Sequence, residues 1–225
     1  MVNISPFDNL EVLISQKSDG NLNKEKKAKS FLKTQCTYPL CYFHHLHQAQ
    51  RHFYQNKDDV APIWSDAVIS KDKNICVAMS VADCFPVILF EPSKQIFALI
   101  HGGWRPLLLN ILELTIQDLK YQSNINPNKL KAWIGPGIRS CCYFFKDKPM
   151  QADLLQWQPS IKHTQKGWQV DLPEFIKTEL QRLGIESSNI KDQEICTHCD
   201  QNLFSYFGSK GEKSGKRFVV AAYLE

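Results

Sequence analysis

The chain has little that would assign it to a class at once. It carries no internal repeat and no low-complexity stretch, so no repeat architecture is expected. No apolar run approaches the roughly 20 residues that span a bilayer. The start, M-V-N-I-S-P-F-D-N-L, lacks a basic region followed by an apolar stretch. A cytoplasmic protein with no membrane partner is expected. Charge of one sign is also scarce: the net charge is only +4. Lysines gather at 24–33 and 210–216, stretches that read as solvated surface. A nucleic-acid groove would want a denser basic patch with interleaved aromatics, so no nucleic-acid partner is expected. His-Glu-x-x-His, the pattern of a helical zinc protease, is missing as well.

What remains is ordinary soluble-protein composition, 43% hydrophobic and 22% charged over 225 residues, long enough to bury a substantial core. The pattern predicts strands at Glu11–Ser15, Ser65–Ser70, Asn74–Ala82, Pro86–Phe90, Ile96–His101, Lys129–Ile134 and Arg217–Leu224. Glu91-Pro92-Ser93-Lys94 is a turn signal, so the fourth and fifth of these form a hairpin. Pro106 opens a helix with a face of Leu108, Ile111, Leu112, Thr115, Ile116 and Leu119. Asp171 caps a second helix that Gly184 ends. Residues 16–35 read as polar loop with at most a short helix. Strands outnumber helices without regular alternation. The expected fold is one α+β domain over 1–225, a mixed sheet core with packed helices.

Eight cysteines, at 36, 41, 76, 84, 141, 142, 196 and 199, invite a disulfide reading. In a reducing compartment, metal binding, catalysis or burial fits better. Cys84 stands just before one apolar strand, beside Asp83, and His101 stands at the end of the next. A thiol and an imidazole at one sheet edge form either a nucleophile–base pair or a soft-metal site. In H-G-G-W-R-P, Gly102 and Gly103 allow close backbone approach, and Trp104 and Arg105 suit an aromatic or anionic ligand. His44, His45, His47 and His52 crowd one segment, and His45 and His47 share a face if it is a strand. Cys196-Thr197-His198-Cys199 is half a zinc site at most, because the adjacent Cys141 and Cys142 make poor co-ligands for one tetrahedral metal. A packing, loop-ordering or site-lining role is expected for this pair.

Together these motifs resemble the bacterial laccase-domain proteins, once described as polyphenol oxidases and more recently as purine nucleoside phosphorylases with adenosine deaminase activity. S-D-A-V-I-S, S-V-A-D-C-F-P-V-I-L-F, H-G-G-W-R-P, I-G-P-G-I-R-S-C-C-Y and C-T-H-C-D-Q-N-L-F-S-Y follow the family's order across about residues 42–224. The resemblance implies a metal held by His47, Cys84 and His101, with His45 at the family's glutamine position and the fallback ligand. It departs at Lys17, where the family has arginine, within a poorly matching segment at 16–35. It departs again at Pro106, Phe144, Leu203 and Phe207, which leaves substrate preference open.

The resemblance implies a zinc enzyme that phosphorolyses adenosine- or inosine-type nucleosides and deaminates adenosine, with nucleoside and phosphate as its small-molecule partners. Two imidazoles and a thiolate leave a tetrahedral zinc one open position. Asp83 is the candidate proton shuttle, and Arg105 with the Gly102 and Gly103 amides the candidate phosphate site. The alternatives are a copper-dependent polyphenol oxidase, a metal-free cysteine hydrolase with Cys84 as nucleophile and His101 as base, and a metal- or nucleoside-binding protein without turnover. Oligomeric state is not legible.

Overall fold

Alternation of apolar side chains builds two sheets face to face. In the strand Phe85–Glu91, Ile88 and Phe90 enter one core and Val87 and Leu89 another, as strand periodicity requires. The computed structural model describes residues 1–54, 62–209 and 215–225. Most of the lysine-rich stretch 210–216 thus lies outside the described residues.

The first sheet runs edge to edge through Val2–Phe7, Leu10–Ile14, Phe218–Leu224, Cys76–Val81, Leu40–His44 and Ile63–Trp64. The second runs through Ile190–Asp192, Lys131–Ile134, Phe85–Glu91, Ile96–Gly102, Ala67–Ser70 and Arg51–Tyr54. Both mix parallel and antiparallel pairs. Phe43, Met79 and Val220 of the first sheet meet Ile88, Phe97 and Leu99 of the second in a shared core. Outside the first sheet, helix Glu25–Leu32 buries Ala28 and Leu32 against Leu13, Ala78 and Ala221. Outside the second, helices Ile111–Ser123 and Leu172–Arg182 bury Ile116 and Ile176 against Leu89, Ala98 and Ala132. A small sheet of Phe144–Phe145, Gly167–Val170 and Ile161–Thr164 flanks this side. The result is a single α+β domain with layers of helix, sheet, sheet and helix. No described helix is long and apolar enough to cross a membrane.

The expected hairpin forms, paired antiparallel from Phe85↔Gly102 to Glu91↔Ile96. The Asp171 side chain accepts a hydrogen bond from the Glu174 amide at 3.1 Å, and Gly184 (φ 97°) follows the helix. The helix expected at Pro106 is a pair instead. Trp104–Leu108 ends, Asn110 turns left-handed at φ 60°, and Ile111–Ser123 begins. Apolar spacing stays in phase across that break, so periodicity alone fuses the two. The polar segment 16–35 contains a real helix, Glu25–Leu32, which covers a sheet face.

One consequence of register places the site. Pro86 lies opposite His101 and Phe85 opposite Gly102. Cys84 and His101 therefore share one edge of the second sheet.

Candidate metal centre

His101 is fully buried at the end of its strand. Its Nδ1 donates to Asp66 Oδ1 at 2.9 Å, since a carboxylate can only accept. Asp66, equally buried, also accepts from the His47 amide at 3.0 Å and the Gln48 amide at 2.8 Å. One carboxylate thus fixes the His101 ring and the turn that carries His47. That turn has His47 at φ 56°, just after the strand Leu40–His44 ends. His45 and His47 therefore meet through a turn, with ring centroids 4.7 Å apart, and not through strand alternation.

The ring of His45 stacks on that of His101 at 4.2 Å, and His47 stands edge-on to His101 at 4.8 Å. Candidate ligand atoms of the three histidines all lie within 4.8 Å of one another. His45 Nε2 donates to the Ser80 carbonyl at 3.0 Å, which leaves its Nδ1 lone pair bare. Both that Nδ1 and His101 Nε2 are buried without a hydrogen-bond partner. Buried polar atoms are seldom left so, and two unsatisfied imidazole nitrogens side by side are donors for a cation. The Cys84 thiol lies beside His101. Gly103 closes over both: a β-carbon there would stand 3.2 Å from Cys84 Sγ and 3.2 Å from His101 Nε2. Imidazoles with a thiol suit zinc or copper and are poor ligands for magnesium or calcium. The donor set fits a soft or borderline metal.

Electrostatics agree. Burial, then the charges of His101 and His47, lower His45 to about 3, so it is a neutral ligand at pH 7. Burial also lowers His47, again with His101 next. Burial alone would lower His101, yet Cys84 and Asp66 raise it to about 9. Metal binding needs the neutral form of His101 and so competes with a proton there.

The cluster lies on the wall of a cavity of about 530 Å³, within the range of small-molecule sites. Asp83, Trp104 and Arg105 line it, together with Arg217, Tyr143 and Phe207. Arg105 stacks on Trp104, 4.9 Å from the ring centroid. Asp83 sits at φ 81°. Its Oδ1 accepts from Thr197 Oγ1 and its Oδ2 from the Phe207 amide, each at 2.6 Å. Burial, then negative charge at Cys84 and Asp83, push the Tyr143 hydroxyl far above its usual range, which keeps it a donor. Gly102 has a strand-pairing reason of its own, because a β-carbon would stand 2.8 Å from the Phe85 carbonyl oxygen.

His44 and His52 fall outside the three-histidine group. His44 instead bonds Glu25 at 2.8 Å. Asp66 is the residue that sequence reasoning passed over. Its signal was the one that marked Asp83, a carboxylate abutting an apolar strand. Cys196 and Cys199 are not among the residues lining the cavity. They gather with Cys141 and Cys142, all four sulfurs within 4.8 Å of one another. Cys141 and Cys142, expected to be poor co-ligands for one metal, are brought together with this pair by a tight turn at 139–143. The Cys142 and Tyr143 amides both bond the Arg139 carbonyl, at 2.9 and 3.1 Å, which swings neighbouring side chains to one side.

Comparison with known proteins places the chain among relatives. A family model described as multi-copper polyphenol oxidoreductase laccase matches residues 3–223. A purine nucleoside phosphorylase, Cj1217c of Campylobacter jejuni, is 36% identical over 162 residues, 71% of this chain and 67% of its own length. One from Clostridium acetobutylicum, CA_C1699, is 30% identical over 68% of this chain and 64% of its own length. Adenosine deaminase RL5, from an unknown prokaryotic organism, is 25% identical over 68% of this chain and 60% of its own length. These matches thus span roughly two thirds of the curated relatives' length or less. Among solved structures, the hypothetical protein YfiH of Bacillus licheniformis superposes with a TM-score of 0.82 at 21% identity, covering 96% of this chain and 93% of that one. YlmD of Geobacillus stearothermophilus gives 0.79 at 19% identity, covering 99% and 94%.

Proposed function

The chain belongs to the multi-copper polyphenol oxidoreductase laccase family, and from that premise we propose that it is a zinc-dependent purine nucleoside enzyme, phosphorolysing adenosine- or inosine-type nucleosides and deaminating adenosine. The observation that carries the reading is the cluster of His45, His47 and His101, which lines one cavity together with Cys84 and two arginines. Relatives named for phosphorolysis and deamination support it.

His47, Cys84 and His101 would hold the metal, with the bare Nδ1 of His45 a further donor beside them. Zinc so held supplies a Lewis acid and makes a water nucleophile available near neutral pH. Asp66 keeps His101 and the His47 turn in place. Tyr143, Phe145 and Phe207 make an aromatic wall, with Tyr143 and Phe207 edge-on at 5.5 Å. Such a wall suits the flat face of a purine. Arg105 and Arg217 face the same cavity and suit phosphate, and the Gly102 and Gly103 amides, just before Arg105 in the chain, are the further candidates for it. In phosphorolysis, a phosphate oxygen bonds the anomeric carbon as the glycosidic C–N bond breaks and the purine leaves. In deamination, water adds at C6 and ammonia leaves. Asp83 is then the group that carries a proton from water to amine, through a lone pair that Thr197 and Phe207 do not occupy.

This reading takes 1–225 as one domain, with 16–35 the part that departs from the family's pattern. A cytoplasmic setting suits it, since none of the eight cysteines is joined in a disulfide. The test is metal content together with adenosine, inosine and phosphate turnover on one sample, repeated for Cys84→Ala and His101→Ala. Zinc and nucleoside turnover lost together in both variants would support it. Full turnover in both, or copper loading with phenol oxidation and no nucleoside turnover, would overturn it.

A further inference from the structure

We infer that Cys141, Cys142, Cys196 and Cys199 form a second metal site, a structural zinc held by four thiolates, separate from the histidine cluster. With zinc–sulfur bonds of about 2.3 Å, the sulfurs of such a tetrahedron stand about 3.8 Å apart. Cys141 Sγ and Cys199 Sγ are 3.8 Å apart and Cys142 Sγ and Cys199 Sγ 3.3 Å. All four sulfurs lie within 4.8 Å of one another. Small side-chain rotations would equalise the six edges.

The backbone is arranged for bound sulfur. The Arg139 amide points at Cys196 Sγ at 3.5 Å. Amide donors of this kind orient thiolate ligands and offset their charge. Cys196-x-x-Cys199 supplies two ligands from one turn, in which the Cys199 amide bonds the Cys196 carbonyl at 3.1 Å. The 139–143 turn supplies the other two. A single ion would thereby join segments 57 residues apart in the chain. The alternative for so many neighbouring thiols is a disulfide between Cys142 and Cys199. It needs an oxidant and leaves Cys141 and Cys196 without a role.

Such a site would brace the cavity without touching it. Thr197, inside the C-x-x-C turn, donates to Asp83, and Tyr143, next to Cys142, lines the cavity wall. The inference does not depend on the proposed activity.

The wild-type protein, purified without oxygen, is analysed for zinc and treated with iodoacetamide before and after a strong chelator. Alkylated positions are mapped by mass spectrometry. A cobalt-reconstituted sample is read for thiolate-to-cobalt charge transfer. The expected result is about two zinc ions per chain, one for each site, with these four thiols protected until chelation. Cys199→Ser should lose about half of the zinc and most of the charge-transfer absorption, whereas Cys84→Ser keeps that absorption. All four thiols reacting freely in zinc-loaded protein, or a Cys142–Cys199 disulfide in the oxygen-free preparation, would overturn the inference. Should Cys199→Ser fail to fold, protection in the wild type still decides.

Discussion

Asp66 does more at the centre than any residue of the motifs around it. It holds one imidazole and two backbone amides from full burial. Removing such a partner of a ligand typically costs 10–100-fold in metal affinity or activity. Asp66→Asn is therefore expected to weaken metal binding by about that factor, read by competition with a chelator, while the circular dichroism spectrum stays native. Unchanged affinity would show that Asp66 only packs. At this scale the sequence was informative where chemistry announces itself. Cys84, His101 and the histidine cluster stood out as rare residue types at strand ends. Asp66 did not, because an aspartate before a short strand is common and its three partners come from segments 18 to 35 residues away.

Elements were legible where one pattern dominated. The hairpin of Phe85–Glu91 and Ile96–Gly102 and the capped helix Leu172–Arg182 follow from runs, turns and caps. The short edge strands Arg51–Tyr54 and Ile190–Asp192 did not, since pairing rather than composition makes them strands. The break at Asn110 was hidden because the apolar spacing runs on in phase through it. Left-handed backbone costs an ordinary L-residue about 1–2 kcal/mol and glycine almost nothing. Asn110→Ala should therefore destabilise by about 1 kcal/mol and Asn110→Gly should be neutral or stabilising in urea unfolding; the reverse order would contradict a strained junction. A second element-level device is Asp192, which pairs with Arg139 through two 2.9 Å bonds and with Lys177 at 2.7 Å. Burial alone would raise its carboxyl, but these cations hold it down, from 3.8 to about 2. A carboxyl that resists protonation when folded supplies stability above the ordinary carboxyl range and loses it as pH falls through its folded value. That stability is worth about 2 kcal/mol. Asp192→Asn should be less stable than the parent by about that much at pH 7, and the gap should close as pH falls from about 4 towards 2. A constant gap would mean that the pair acts through packing alone.

At the scale of the whole molecule, the first sheet is completed from opposite ends of the chain. Phe218–Leu224 lies between Leu10–Ile14 and Cys76–Val81, antiparallel to both. Its Phe218, Val220 and Ala222 enter the core between the sheets. A chain ending at 217 is expected to lose cooperative unfolding in urea, and a sharp transition in that variant would contradict the central role of the strand. The sequence showed this strand but not its position, because strand order is a long-range property that local pattern does not encode. The placement also bears on how the protein is made. Residues 45–101 are made well before 218–224, so their imidazoles and thiol exist while the first sheet still lacks a central member. The frame around the pocket therefore closes only once Phe218–Leu224 has paired with both neighbours, so an ion bound before then would lack a rigid seat.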